Sequence, residues 1–486
     1  MLRYGATLPI SSLDGVCTSP NEATSLLYSR LITVDAFGDV VPDLAKEQQV
    51  SSDGLRYTFV PKPGATWSDG NAVCADDFAM SLRLVADPAF RESVAVHLPV
   101  IDKVDTVDSA TVVTLSESMP SFLHALTKMR VVPSHRHTIE EYAAGASDDD
   151  PIGSGPYELT SRGESGYVFT ARADSVGVTP AIESVHMRTI ANDRDRAAAL
   201  AAGEIDLAQI KPQDLDLLSE DVRAHAIRTR VWRAFTFRLN HPVLGDPAVR
   251  RALGALIDRD EIVERALGGF GLAQYWPVPP GSWASPEQIP AVGEEVAAAT
   301  LNSAGWRRMS DGHWEKEGVR LSLQLAYLET ETFRKVASEV IRDQLGRFGI
   351  PVQLLPMTWQ AYRDMDAKGL RGSEYDGIVV GWSGGVDPYE NLASRFHSDG
   401  GYNRDGYSNP ELDRLLEQAV RAPDRETARA LYGEVMRITH EDAVMVPLVN
   451  PTYLFGARAD LTGFEDFEVD SFYEFPQYLN LIRRSA

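Results

Sequence analysis

Cysteine is nearly absent from this chain: Cys17 and Cys74 are the only two among 486 residues. A disulfide framework and a cysteine-rich zinc or iron–sulfur centre are therefore excluded, which leaves one bridge or two thiols, two buried thiols being the plainer reading. Long apolar runs are missing too. The stretch from Ala443 to Val449 falls far short of the roughly 20 residues needed to span a bilayer as a helix. Cations are scarce: 47 Lys and Arg stand against 70 Asp and Glu, a formal net charge of −23. That balance repels phosphate backbones and anionic headgroups and argues against a nucleic-acid partner. The opening residues Met1-Leu2-Arg3-Tyr4-Gly5 lack the basic region and apolar run of a secretory signal and read as the start of a strand. Two readings stay open there. Either a leader has been removed from an extracytoplasmic protein, periplasmic or a cell-surface lipoprotein, or Met1 is the native start of a cytoplasmic one.

Catalytic and cofactor motifs are equally thin. His135 and His137 lie two apart, do not share a helix face and belong to no H-E-x-x-H. Asp148-Asp149-Asp150 lacks the spacing of a calcium loop and reads as a solvated turn. No phosphate loop occurs, and Gly268-Gly269-Phe270-Gly271 has neither the spacing nor the preceding strand of a dinucleotide site. No metal or cofactor is expected. Gly381-Trp382-Ser383-Gly384-Gly385 does match G-x-S-x-G after the strand-like Ile378-Val379-Val380. Asp387 and His397 follow too closely for separate triad loops, however, and the residues after Ser383 read as a loop where an elbow opens a helix.

What is present is ordinary globular material: 44% hydrophobic and 24% charged residues, enough for a substantial core, in a length that suits about three domain-sized units or two large lobes. Short apolar strands alternate with helical stretches, the pattern of α/β layers. Tyr57 to Val60 alternates as a strand and ends in the turn Pro61-Lys62-Pro63-Gly64. Helices are expected from Asp76, from Asp246 with Pro247 in its first turn, and over Phe333 to Leu345, the last leading into a strand at Ile350 to Leu355. A further helix is expected at Pro410, capped by Ser408 or Asn409. Trp382 and Tyr389 bracket a Gly-rich turn after a strand, an arrangement that offers aromatic faces and free backbone groups to a ligand or, equally, buries a core tryptophan.

Ordered pieces along the whole chain carry a resemblance. They include Ser12-Leu13-Asp14, Leu27-Tyr28-Ser29-Arg30-Leu31, the stretch from Ser52 to Phe59 with Trp67-Ser68-Asp69-Gly70 and Ala75-Asp76-Asp77-Phe78, and Gly153-Ser154-Gly155-Pro156-Tyr157. Gly203-Glu204-Ile205-Asp206, Val249 to Leu253 with Ile257-Asp258-Arg259, Ala304-Gly305-Trp306, Leu345 to Val352, Trp382 with Asp387-Pro388, and Tyr407 to Asp413 continue it. Together they resemble the bacterial extracellular solute-binding proteins of family 5, the oligopeptide- and dipeptide-binding components of ABC importers. The resemblance implies a two-lobed α/β periplasmic-binding-protein-like fold of type II, large cluster, with a hinge and an interlobe ligand cleft. Lobe one would comprise 1–240 plus 451–486, with an extra subdomain at about 36–150, and lobe two 241–450, with hinge crossings near Asn240 and Asn450 on the strands Phe237-Arg238-Leu239-Asn240 and Pro447-Leu448-Val449-Asn450.

The same resemblance lines the cleft with Cys17, Thr18, Ser19 and Pro20 from lobe one. From lobe two it brings Trp382, Ser383, Gly384, Gly385, Asp387 and Tyr389, with Tyr402 and Asn403 nearby and Trp359 as an apolar wall. Gly385 stands where peptide-binding members carry an Asp that pairs with the ligand's ammonium group; Asp387 is the candidate substitute, though it also reads as the Asp-Pro turn residue. The implied function is a monomeric, non-catalytic receptor that captures a peptide or peptide-like small molecule and delivers it to an ABC transporter permease. The alternative is a cytoplasmic enzyme or binding protein repurposed from this scaffold, in a biosynthetic pathway, with Cys17 or Ser383 as the candidate nucleophile.

Overall fold

The computed structural model describes every residue except 11, 16–20, 35–38, 88–97, 99, 120, 144–149, 177–178, 466–467, 470–471 and 486. Its principal elements run as follows. The chain enters at β1 (Leu2–Ala6) and builds a small antiparallel sheet from β2 (Ala45–Val50), β3 (Arg56–Pro61), β4 (Ile101–Val107) and β5 (Ala110–Leu115), with α1 (Ala75–Ala86) inserted after β3. It returns through β6 (Tyr157–Gly163), β7 (Gly166–Ala171), β8 (Ser184–Thr189), α2 (Asp193–Ala201), β9 (Leu207–Ile210) and β10 (Val222–Thr229). Then follow β11 (Trp232–Phe237), α3 (Pro247–Leu256), α4 (Arg259–Leu267), β12 (Gly271–Ala273), β13 (Leu323–Leu328), α5 (Thr332–Arg347), β14 (Val352–Met357), α6 (Trp359–Lys368) and β15 (Gly377–Trp382). The helices α7 (Pro388–Phe396), α8 (Pro410–Val420) and α9 (Arg425–Asp442) precede β16 (Met445–Pro451), β17 (Tyr453–Arg458) and β18 (Glu468–Val469).

Two units result, Met1–Arg228 with Tyr453–Ala486, and Thr229–Thr452. In the first, eight strands lie in the order β18-β10-β17-β9-β1-β8-β7-β6. β1 is central and runs parallel to both neighbours, so it is buried almost throughout. Gly5 packs closely there: a Cβ would come 2.6 Å from Ile205 Cδ1, which would have to shift. Leu2, Tyr4, Phe169, Phe455 and Phe475 share one core, so both ends of the chain are needed to complete it. The inserted subdomain, β2-β3-β5-β4, has its own core of Phe59, Trp67, Phe78 and Phe122. Its buried Asp77 accepts from Trp67 Nε1 (3.0 Å), Cys74 N (2.8 Å), Ser134 N (2.8 Å) and Ser134 Oγ (2.7 Å). That network explains why tryptophan and aspartate recur in the Trp67 to Phe78 stretch: one carboxylate ties the turn, the helix start and a distant loop together. Cys74 is exposed beside it, against the expectation of a buried thiol, because it sits at the helix N-cap rather than on the helix's apolar face.

The second unit is a six-stranded sheet, β12-β16-β11-β15-β13-β14, in which β13 runs parallel to β14 and β15. One side packs α3, α4 and α5 through Phe235, Leu253, Ile341 and Val379. A separate helical core of Leu392, Phe396, Leu416, Tyr432 and Val435 joins α7, α8 and α9. Asp246 caps α3 through Ala248 N, and Asn409 rather than Ser408 caps α8 through Glu411 N and Leu412 N. β14 starts two residues after the expected Ile350, because Ile350 N is committed to Leu345 O at the end of α5 and Pro351 has no N–H.

The chain passes between the units at 228/229 and 452/453. Asn240 therefore does not mark a crossing. It lies in an exposed turn beyond β11, which is held between β16 and β15 and so belongs wholly to the second unit. Asn450 is the residue that clamps the two linking segments: its Nδ2 donates to Thr229 O (2.8 Å) and Val231 O (2.6 Å), while Thr229 Oγ1 donates to Pro451 O (2.6 Å).

Candidate functional site

β11 and β15 are antiparallel, and their register sets Trp232 opposite Trp382. Directly opposed residues project from the same sheet face, so the two indoles meet with ring centroids 4.8 Å apart. A cation closes over them from α7. That helix buries Pro388, Asn391, Leu392, Arg395 and Phe396, a single face at spacings of three and four, and Arg395 on that face is 5% exposed. Its guanidinium carbon lies 4.7 Å from the Trp382 ring centroid, 5.2 Å from Trp232 and 5.6 Å from Tyr402. Nη1 donates to Asn391 O (2.8 Å) and Ser394 Oγ (3.0 Å), but the buried Nε has no partner among the described residues.

Burial pushes the Arg395 pKa down to about 10, against the smaller opposing influence of Glu390 and Tyr402, so the group is still a cation at neutral pH. Burying an ion without a counter-charge costs several kcal/mol. A cation–π contact with a desolvated ring returns about 2 kcal/mol. The rings thus offset part of the cost and leave one donor unsatisfied.

Beside this stack lies a cavity of about 70 Å³ lined by Met365, Leu370, Val380, Trp382, Arg395 and Tyr402, among others. That is more than the roughly 10–15 Å³ needed to admit a water molecule. Its wall runs along β15 from Ile378 to Trp382, which is the strand's carboxyl end. Ligands of open α/β sheets bind beyond the carboxyl ends of parallel strands, and that edge is where β13, β14 and β15 end. A larger cavity of about 300 Å³ lies in the first unit among Tyr28, Arg30, Asp43, Lys62, Arg130 and Tyr478. None of the described residues singled out from the sequence as a ligand contact lines it, and Arg30 there is already paired with Glu474 at 3.1 Å.

The residues expected to bind ligand scatter instructively. Trp382 and Tyr402 line the 70 Å³ cavity. Asn403 borders it too, but its side chain is spent on His397 O, Ser398 O and Tyr407 O and accepts from Tyr407 N. Trp359 is 46% exposed at the same sheet edge, stacked on Tyr362 at 5.2 Å. Gly384 and Gly385 are not free backbone. They are buried, with Gly384 N on Arg230 O (3.0 Å) and Gly385 locked both ways to Asn391, through its N–H (3.2 Å) and its carbonyl (3.0 Å). A Cβ at 384 would come 2.3 Å from Arg230 O, and one at 385 would come 2.0 Å from Glu390 Oε2. Glycine is needed there for packing, and Glu390 already fills the space a side chain at 385 would take.

Asp387 is the N-cap of α7, accepting from Tyr389 N at 2.8 Å, and its charge raises the Tyr432 pKa in addition to the larger effect of burial. One of its carboxylate oxygens therefore serves the helix. Tyr389 packs with the helical core and not with Trp382, so the two aromatics do not bracket one site. Ser383 is exposed, no described side chain hydrogen-bonds its hydroxyl, and α7 opens five residues later, which removes the nucleophile-elbow geometry. Cys17, Thr18, Ser19 and Pro20 lie outside the described residues.

Trp232, Asn391 and Arg395 are the residues that sequence reasoning missed. A signal for two of them exists: within Pro388 to Phe396 the apolar stripe is interrupted by Asn391 and Arg395, polar residues on a buried face. Trp232 had no local signal, since only strand pairing brings it to Trp382.

Comparison with known proteins places this geometry. The sequence model described as "Bacterial extracellular solute-binding proteins, family 5 Middle" matches residues 39–403. Protein XP55 of Streptomyces lividans is 28% identical over 450 residues, covering 89% of this chain and 80% of its own. A probable di/tripeptide-binding protein 5 of Pseudomonas aeruginosa is 25% identical over 479 residues, 92% of this chain and 89% of its own. The oligopeptide-binding protein AppA of Bacillus subtilis, solved in complex with a nonapeptide, superposes with a TM-score of 0.79 at 22% identity over 100% of this chain and 99% of that one. This likeness establishes the two-lobed α/β fold.

Proposed function

Because the chain belongs to the bacterial extracellular solute-binding proteins of family 5, we propose that it captures a peptide or peptide-like small molecule and delivers it to the permease of an ABC importer. The observation that carries this reading is the aromatic recess around Trp382, lying inside the matched span and at the sheet edge where α/β ligand sites form. The relatives named for di- and tripeptides, or solved with a nonapeptide, support a peptide-like solute. The protein acts outside the cytoplasm, as a monomer. It binds without transforming: the exposed hydroxyl of Ser383 has no base to activate it among the described residues.

Native mass spectrometry of the purified protein tests the capture directly, since a co-purified small molecule and the monomer mass are read from one spectrum. With the solute identified, Trp382→Ala should weaken binding by tenfold or more, a loss of about 2 kcal/mol for a buried aromatic anchor. Unchanged affinity by calorimetry would remove the recess from the binding site.

A further inference from the structure

The chain as a whole carries a net charge of −23, yet a cavity of about 150 Å³ in the second unit is lined by Arg251, Arg259 and His440 and by no carboxylate. It lies on the other face of the sheet from the aromatic recess. Val380 and Trp382 of β15 pack on the recess side, whereas Val379 and Val446 pack with α3, and alternate residues of a strand face opposite ways. Gly254, Ala255 and Val446 place the 150 Å³ cavity on the α3 side, and Met445 alone is common to the two linings.

Both arginines keep donors for a guest. Arg259 Nε and Nη1 are bound to backbone carbonyls, but its Nη2 bonds nothing among the described residues and is not one of the buried polar atoms closed off from solvent. Arg251 Nη1 donates to Glu441 O, and its Nε and Nη2 bond nothing among the described residues. The carboxylates that adjoin these residues in the chain are engaged elsewhere. Glu441 pairs with Arg437 at 2.5 Å, Asp442 accepts from Tyr407 OH (2.5 Å) and Asn409 Nδ2 (3.1 Å), and Asp258 caps α4 through Asp260 N (3.0 Å) and Glu261 N (3.2 Å). Much of the remaining wall is apolar, formed by Ala255, Pro290, Val292, Val296 and Met445. A strongly hydrated phosphate finds few donors against such a wall. A carboxylate on a short aliphatic chain suits both halves, since its oxygens match guanidinium donors and its chain buries apolar surface.

We propose that this cavity is a second binding site, separate from the aromatic recess, for a small aliphatic monocarboxylate whose oxygens accept from Arg259 Nη2 and Arg251 and whose chain lies against Val292 and Val296. The site is contained within the second unit and stands or falls independently of the receptor reading above. His440 reports on it. Burial lowers the pKa of that imidazole most, Arg251 and Arg259 lower it further, Glu441 opposes them, and Trp276 packs edge-on to the ring. A carboxylate bound to the two arginines offsets their charge and so raises the His440 pKa.

The probe is butyrate, with butyramide as neutral isostere, inorganic phosphate as competing anion and sodium chloride at the same ionic strength as the screening control. Proton NMR of the full chain follows the His440 ring resonance through a pH titration, the resonance being identified by its loss in His440→Gln. Butyrate should raise the titration midpoint saturably, by about half a pH unit, where butyramide and chloride do not. Arg251→Gln should raise the butyrate concentration for half the effect by about tenfold, with Arg251→Lys retaining part of the response. Circular dichroism confirms that each variant is folded. Should R251Q fail to fold, Val292→Glu, at a position 41% exposed, sets a carboxylate at the rim and should still weaken the response by roughly threefold. An unmoved midpoint, an equal rise with butyramide or with chloride, or an R251Q variant indistinguishable from the parent overturns the site. A response to phosphate and not to butyrate overturns the carboxylate assignment in favour of an inorganic anion.

Discussion

Two arginines of the second unit are alike in every respect except their shells. Arg259, at the start of α4, and Arg395, on α7, are each 5% exposed, each has its pKa lowered to about 10 chiefly by burial, and each faces an aromatic ring. Arg259 has both Nε and Nη1 bonded to backbone carbonyls. Its Nε donates to Gln274 O (3.0 Å) and Pro447 O (2.9 Å), and its Nη1 to Ile257 O (3.0 Å) and Gly254 O (3.4 Å), so one side chain ties α3, the strand β16 and the segment after β12. Arg395 spends its bonds on its own helix and keeps one buried nitrogen without a partner among the described residues. Burial and a shifted pKa are therefore common to a cation bonded through two of its nitrogens and one that leaves its Nε unpaired; the two differ in their hydrogen-bond shells.

The largest test of this contrast is Arg259→Met. It strands several buried carbonyls at once and should cost the second unit about 3 kcal/mol or more in urea unfolding. A loss below about 1 kcal/mol would erase the distinction drawn between the two arginines. Next comes Asp387→Ala, which removes the α7 cap and should lower stability by about 1 kcal/mol while leaving solute affinity unchanged; a large affinity loss would return Asp387 to the ligand. Smaller again is the effect of Arg395→Met on folding. Replacing an incompletely satisfied buried charge with an apolar chain of similar length is close to neutral, within about 1 kcal/mol, so its cost should appear in binding rather than in stability.

The weakest effect is one of pH. His440 packs edge-on to Trp276, and burial, reinforced by Arg251 and Arg259, lowers its pKa below the usual value of 6.5 against the opposing charge of Glu441. Above about pH 6.5 the imidazole is neutral both folded and unfolded, and it contributes no pH dependence. As pH falls below that value the unfolded chain takes up the proton first, so stability declines until the folded form titrates as well. His440→Gln should flatten that part of the stability curve, and denaturation midpoints that fall with pH identically in both proteins would show that His440 does not carry it.

Much of the scaffold was legible before any coordinates. Asp246 with Pro247, and Asn409 with Pro410, announce helix starts through local chemistry, and both helices form where they say. Trp382 stood out because it ends a buried apolar strand and precedes glycines. The glycines themselves misled. Their freedom from side chains reads in sequence as room for a ligand, whereas Arg230 O and Glu390 fill that room. Asp387 misled in the same way, since a carboxylate near a binding loop and a carboxylate capping a helix look alike until its acceptor role to Tyr389 N is seen.

By itself the sequence determined the α/β alternation, the scarcity of cysteine, the helix caps and the family to which the chain belongs. Each of these follows from composition, from contacts within a few residues, or from the order of short motifs. Tertiary structure alone decided that Trp232 meets Trp382 across antiparallel strands, that Arg395 lies over both, and that Asn450 rather than Asn240 binds the linking segments. Those facts depend on strand register and on which bonds a buried polar group fails to find. Both are properties of residues up to 221 positions apart, as in the bond between Asn450 and Thr229, and no local pattern encodes them.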